Sequence, residues 1–302
     1  MNRRRYSPLV IIAAVSLAGA ITSCANTAAT NEPQQNPLET VQVDDIEMAY
    51  KVLGQGEPLV MIPGLSATMD VWAPRFLEDL SSRFRVILFD SRGMGETSEG
   101  SEKFTIDRFA DDLAGLLDAL EIEKAHVLGW SMGGDVALAF AVRHPEKLDR
   151  LIVYAGDCGG AQRVFTAEVY RELEMLADPN LDPSESFSIL FPEGWMESHP
   201  DYWKDFTNIT ETSSPENIKK QSDAYINWEG VYDQLPNISR PTLIATGTED
   251  ISTPPENSTI LAASIPGSWL VRFEGAGHGL MYQYPDEFAQ IIIDFVELSK
   301  EK

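Results

Sequence analysis

Residues Ala125 to Gly134 read Ala-His-Val-Leu-Gly-Trp-Ser-Met-Gly-Gly, an apolar run feeding a serine that has glycine at both second neighbours. The run predicts a buried strand. Val136, Ala137, Phe140 and Ala141 recur beyond it at helical spacing, so Ser131 stands at a strand-to-helix junction. So sharp a turn brings strand and helix backbones together, which residues without a Cβ tolerate best, and it strains the residue at its tip. Gly129 and Gly133 meet that need and leave Ser131 projecting at the sheet edge, in front of the N–H groups that open the helix. A hydroxyl so placed is a candidate nucleophile, and G-x-S-x-G is the pattern of a nucleophile elbow.

The same alternation continues through the chain. Glu39 to Lys51 predicts two antiparallel strands, and Gly54-Gln55-Gly56 turns into the strand Pro58–Ile62. A helix over Trp72 to Leu80 precedes the strand Phe84–Phe89. The loop Asp90 to Ser98 carries its own acids and no following lysine, so it reads as structural and not as a phosphate cradle. Ile106, Phe109, Ala110, Leu113, Leu117 and Leu120 mark one apolar helical face with Thr105 as its cap. Leu151–Ala155, Thr242–Thr246 and Trp269–Phe273 are further strands, and Phe288 to Val296 closes the chain with a helix. Short apolar strands alternating with amphipathic helices predict an α/β fold, a mostly parallel doubly wound sheet covered on both faces. Between residues 159 and 235 the rhythm stops, which predicts a helical lid inserted into a core made of 39–158 and 236–302. Its Trp195 and Trp203, with Trp130 of the elbow, are candidates for the apolar wall of a substrate pocket.

A chain of 302 residues, 43% hydrophobic and 23% charged, suffices for one large domain with an insertion. Its formal net charge of -24 repels polyanions and argues against nucleic acid as a partner. Arg3, Arg4 and Arg5 followed by an apolar segment from Leu9 to Ile21 predict an export signal over residues 1–23, too short for a comfortable membrane span. Ile21-Thr22-Ser23-Cys24 resembles a prokaryotic lipobox, which implies a lipid on Cys24, a flexible tether through residue 38, and a cell-envelope protein held to a membrane. With Cys24 so used, Cys158 has no partner in the chain; a disulfide scaffold is excluded, and Cys158 reads as a small buried residue.

A serine nucleophile needs a base within reach, and the base needs an acid to fix its tautomer. His126 lies inside the strand before Ser131 and reads as structural. His144 and His199, each preceding a proline, read as local caps or surface groups. His278 sits in Glu274-Gly275-Ala276-Gly277-His278-Gly279, directly after the last strand and at the same rim as Ser131. Asp250, just past the preceding strand, is the favoured acid because the chain order Ser, acid, His fits it. Glu249 and Asp157 are its competitors. The cysteine and histidine spacings offer no zinc site.

Taken together, the elbow Gly129 to Gly133, the loop Asp90 to Ser98, Asp250 before Pro254, and Gly277-His278 resemble the α/β-hydrolase family with a lid, over about Glu39 to Ser299. The resemblance implies Ser131 as nucleophile, Asp250 as acid, His278 as base, and an oxyanion hole from the main-chain N–H groups of Met132 and Leu65. The family often has His-Gly where this chain has Pro63-Gly64, so that histidine's support is missing here. The expected chemistry is cleavage, through an acyl-enzyme, of a small-molecule ester or related acyl substrate whose acyl size the sequence leaves open, with no cofactor and no metal. The same three residues also suit carbon–carbon bond hydrolysis, lactone opening or cofactor-free perhydrolysis. A ligand receptor without turnover is the rival from another class. A serine at the elbow argues against the dehalogenases and epoxide hydrolases of similar fold, which use a carboxylate there.

Overall fold

Each of the apolar runs becomes a strand in the computed structural model, which describes residues 37–176, 183–206 and 213–301. The predicted export signal, Cys24 and most of the tether lie outside the described residues. The strands are β1 (Glu39–Val43), β2 (Ile46–Leu53), β3 (Glu57–Ile62), β4 (Phe84–Phe89), β5 (Ala125–Trp130), β6 (Leu148–Tyr154), β7 (Thr242–Gly247) and β8 (Trp269–Phe273). They form one sheet in the order β1-β2-β4-β3-β5-β6-β7-β8. β1 and β2 are antiparallel to their neighbours, and β3 to β8 run parallel. The α/β sheet expected from the sequence is therefore the one observed.

Alternation along the strands sorts the core into two layers. Val60 and Ile62 of β3 pack on one side with the helices Ile106–Ala119 and Met132–Arg143, while Leu59 and Met61 pack on the other with Pro74–Ser81 and Pro285–Leu298. The central strands are buried on both faces, which is why they read as unbroken apolar runs. The face predicted for the helix Ile106–Ala119 is buried, and Thr105 Oγ1 accepts from the Arg108 N–H at 2.9 Å as its cap. The loop after β4 is structural: the Asp90 carboxylate accepts from the N–H groups of Met69 and Glu96, and buried Arg92 makes a bidentate pair with Asp112 at 2.9 and 2.7 Å.

Between β6 and β7 lie the helices Ala167–Leu176, Pro183–Leu190, Glu193–Ser198 and Pro215–Ile226. Among the described residues no helix is long and apolar enough to cross a membrane. The strand order reverses between β3 and β5: the chain leaves β3 toward β4 on one side and returns to β5 on the other. Such a reversal opens a crevice beyond the carboxyl ends of the two strands. Ile62 pairs with Gly129 there, so the segments following β3 and β5 start side by side.

Candidate active site

The crevice is built first by the elbow. A Cβ on Gly129 would lie 2.0 Å from the Gly133 carbonyl oxygen, and one on Gly133 would lie 2.3 Å from the Ile62 oxygen, so both positions require glycine. Ser131 between them holds φ 57°, a region that non-glycine residues rarely occupy and that persists only where the surroundings enforce it. The Gly134 N–H donates to the Ser131 carbonyl, and the Ser131 N–H to the Tyr154 carbonyl of β6. Met132 is the first residue of the following helix, where N–H groups have no intrahelical acceptor.

The loop Gly64 to Ala67, delivered by β3, forms the facing wall. A Cβ on Gly64 would come within 3.2 Å of the Ser131 Cβ, so that peptide lies against the serine side chain. His278 enters from the loop after β8. Its carbonyl oxygen accepts from the Trp130 indole N–H at 3.2 Å and from the Tyr154 hydroxyl, two bonds that locate the residue from the sheet beneath it. Its imidazole Nδ1 lies 2.9 Å from Asp250 Oδ2, and both side chains are buried. Asp250 Oδ1 accepts from the N–H groups of Ser252 and Thr253 at 3.0 and 2.8 Å, so the carboxylate is held on both oxygens.

Ser131 and His278 line one cavity of about 220 Å³, together with Gly64, Leu65, Ser66 and Met132. Trp130, Val169, Ile189 and Tyr225 complete much of its apolar wall. Among the described residues, no Asp, Glu, Lys or Arg side chain lines it. Of the three tryptophans considered for the pocket, Trp130 is present in the wall and the other two are not. Trp195 stacks on Phe191 and His199, with centroids 4.7 and 4.5 Å away, and Trp203 is about half exposed at 49%. Those two rings serve the helical segment's own packing or face solvent. A larger open groove of about 1030 Å³ runs past Glu99, Asp107, Arg143, Lys220 and Trp228, and contains none of Ser131, Asp250 and His278.

The competing acids and histidines are placed elsewhere. Asp157 is buried, and its carboxylate is engaged by the Gly159 N–H at 2.7 Å, the Tyr225 hydroxyl at 3.2 Å and Arg163 at 3.8 Å. Burial raises its carboxyl above the usual range. The carboxyl of Asp135, on the elbow helix, is likewise raised, well above its usual value, by burial and by the Asp157 charge. The N–H of Glu249 donates to the Ala276 carbonyl, a link between the acid loop and the histidine loop. His126 is buried near Asp149 and Glu57, at 3.4 and 3.6 Å, yet burial pulls its pKa down. His144 Nε2 meets Asp111 Oδ1 at 2.8 Å, and His199 Nδ1 lies 3.0 Å from the Trp195 carbonyl. Cys158 is a buried free thiol whose pKa burial pushes up to about 12, so it is not a thiolate near neutrality. Among the described residues, no group of three or more His, Cys, Asp or Glu is gathered to hold a metal ion.

Sequence reading missed several contributors. Tyr154 and Gln283 brace the histidine loop, the latter through Oε1 accepting from the Gly277 N–H at 2.7 Å. The Leu190 carbonyl of the helical segment accepts from the Gly279 N–H at 2.8 Å. None of these residues carries a local pattern that would have marked it.

The comparisons agree with this architecture. RutD of Caulobacter sp. (strain K31), to which a carbamate hydrolase activity is ascribed, is 28% identical over 245 residues, covering 80% of this chain and 90% of that protein. A 2-hydroxy-6-oxononadienedioate/2-hydroxy-6-oxononatrienedioate hydrolase of Pseudomonas putida is 27% identical over 276 residues, covering 84% and 92%. The solved structure of a thermophilic esterase from Thermogutta terrifontis superimposes with a TM-score of 0.75 at 28% identity, covering 87% of this chain and 99% of the esterase. The alpha/beta hydrolase fold family matches residues 57–285, from the start of β3 to the first turn of the last long helix. An eight-stranded sheet, an elbow serine after β5 and a histidine after β8 thus accompany a family match over most of the sequence: this chain belongs to the α/β-hydrolase fold family.

Proposed function

We propose that the protein is a serine hydrolase that cleaves carboxylic esters of small, uncharged acyl groups. The observation that carries this reading is the pair Asp250–His278, 2.9 Å apart and buried, at the edge of the cavity that also holds Ser131. Asp250, fully hydrogen-bonded, favours the His278 tautomer with its proton on Nδ1, which leaves Nε2 as a base. His278 removes the Ser131 proton as Oγ attacks the ester carbonyl, and the imidazolium formed is stabilised by the Asp250 charge. The tetrahedral oxyanion faces the N–H groups of Leu65 and Met132, each worth about 3 kcal/mol of barrier on the scale of single-donor losses. Collapse expels the alcohol, which takes the proton from His278. Water then attacks the acyl-enzyme by the same steps in reverse roles.

Substrate class follows from the walls. A cavity of about 220 Å³ falls below the ~300–1,000 Å³ common for drug-sized ligands. With no cationic side chain in its lining among the described residues, it offers nothing there to compensate the desolvation of a carboxylate on the substrate. That distinguishes it from what a dioate such as the P. putida relative's named substrate requires. Carbamates, as named for RutD, and lactones share the acyl chemistry and remain within reach of the same three residues. The helices between β6 and β7 supply Val169, Ile189 and Tyr225 to the wall, which supports reading 159–235 as a lid.

The test is hydrolysis of p-nitrophenyl esters graded in acyl length, with a dicarboxylate monoester as the charged control, by the parent and by Ser131→Ala. Short neutral esters should be cleaved, the charged one poorly, and the variant should lose at least about 10³-fold. Equal rates for parent and variant would reject the serine mechanism. Saturable binding without turnover would support a receptor.

A further inference from the structure

We propose that Gln221 is a positioning residue for the oxyanion-binding loop: its side-chain carbonyl fixes the Leu65–Ser66 peptide, and through it the direction of the neighbouring Leu65 N–H. The proposal rests on the serine-hydrolase reading. Gln221 belongs to the helix Pro215–Ile226 and is fully buried. Its Oε1 accepts from the Ser66 N–H at 2.6 Å, a contact between residues 155 positions apart. A backbone N–H can only donate, so the amide orientation is settled by its partner. Nε2 then points where it finds no hydrogen-bond partner among the described residues.

A glutamine retained only to fill space is a poor choice there. Methionine would occupy a similar volume without stranding a buried donor, and buried polar groups left unpaired are costly. What the amide supplies is a fixed acceptor, and the loop needs one. Ser66 holds φ 62°, a conformation that a serine keeps only where its neighbours impose it. Among the described residues the turn around it is otherwise closed by one long bond, Ala67 N–H to Gly64 carbonyl at 3.3 Å. Leu65 and Ser66 line the same cavity as Ser131, so a shift of this peptide that carries the Leu65 Cα with it tilts the adjoining Gly64–Leu65 peptide and redirects the Leu65 N–H at the reacting centre. The helix that carries Gln221 is itself tied to the core. Asn217 Nδ2 donates to the Gly93 carbonyl at 3.0 Å, and the Tyr225 hydroxyl to Asp157 at 3.2 Å. Gln221 is thus a brace between a fixed helix and a strained loop.

The experiment compares the parent, Ser131→Ala, Gln221→Met and Gln221→Glu on the best ester found above. Readouts are kcat, KM and inhibition by a trifluoromethyl ketone and by the methyl ketone of the same chain. The trifluoromethyl ketone is attacked by Ser131 Oγ, whose proton passes to His278, and the carbonyl electron pair becomes an oxyanion in the hole. The methyl ketone binds without that charge. Gln221→Met should lower kcat by about tenfold to a hundredfold with KM nearly unchanged, and weaken the trifluoromethyl ketone by the same factor but not the methyl ketone. Gln221→Glu keeps an acceptor oxygen in either protonation state and should restore most of the loss. The proposal is overturned by a Met variant within about twofold of the parent in kcat and in trifluoromethyl ketone affinity. It is equally overturned by both ketones weakening together, or by a Glu variant as impaired as the Met variant. If Gln221→Met does not fold, Gln221→Ala is read in its place, and failure of both to fold assigns the residue to packing and overturns the proposal. Ser131→Ala as active as the parent would instead remove the underlying reading, a result distinct from any of these.

Discussion

At the scale of single residues, the question is which carboxylate serves His278. Asp250 accepts from two backbone N–H groups on Oδ1 and meets Nδ1 with Oδ2, whereas Asp157 spends its oxygens on Gly159, Tyr225 and Arg163. In Asp250→Asn an amide retaining the two backbone bonds turns its NH₂ toward Nδ1. The imidazole then keeps its proton on Nε2 and cannot take one from Ser131. The expected loss in kcat/KM is about 10³–10⁴-fold with the fold intact, and Asp157→Asn should lose far less. The reverse ranking, read by ester hydrolysis of both folded variants, would move the acid to Asp157. Ser131, Asp250 and His278 were legible because each is tied to a strand end by a short pattern. Trp195 and Trp203 are not among the residues lining the cavity, and no sequence pattern separates a tryptophan packed on its own segment from one facing a ligand. Gln221 was invisible, since a polar residue in an amphipathic helix reads as solvated surface and its partner is remote in the chain.

At the scale of elements, the elbow helix and the end of β6 are joined by an unusual buried contact. The Asp157 N–H donates to Asp135 Oδ1 at 2.9 Å, while Asp135 Oδ2 has no hydrogen-bond partner among the described residues. Burial and the nearby Asp157 charge raise the Asp135 carboxyl well above its usual value, so the folded state holds a proton there that the unfolded chain releases. For a raised carboxyl the native state binds the extra proton between the two pKa values. Stability is thus greatest below the unfolded value and falls as pH rises toward the folded one. Asp135→Asn removes this burden while keeping an acceptor for the Asp157 N–H. Its stability relative to the parent should grow by about 1.4 kcal/mol per pH unit above pH 4 for as long as the native carboxyl stays protonated. Denaturant titrations at a series of pH values rising from about 4 would show it, and a pH-independent difference would mean that Asp135 is ionised in the fold. Asp157 could be noticed in the sequence only as a candidate partner of His278, and Asp135 does not announce itself there at all. The strands did so wherever apolar residues ran unbroken, but the opening of β6 was hidden by Asp149 and Arg150, two charged residues paired with each other at 2.6 Å, of which Arg150 is buried.

At the scale of the whole molecule, a net charge of -24 restricts how the protein can sit at a membrane. Anionic headgroups attract clusters of Lys and Arg and repel a body with 47 acidic and 23 basic residues, so electrostatic adsorption is disfavoured. The apolar segment from Leu9 to Ile21 holds fewer residues than the ~20 that a membrane-spanning helix needs. If the protein is held at a membrane, the chemistry available is covalent, and Cys24 after Ile21-Thr22-Ser23 is the residue placed to carry it. One acyl chain gives only marginal binding, so stable anchoring needs at least two, as a diacylglycerol thioether would provide. The protein expressed in a bacterium that processes lipoproteins should then partition with membranes, resist release by high salt, come off with detergent, and show diacylglycerol on Cys24 as its first residue by mass analysis. Release by salt, or an unmodified Cys24 in the membrane fraction, would mean that a different force holds it, because neither outcome is compatible with two buried acyl chains against a repelled acidic body.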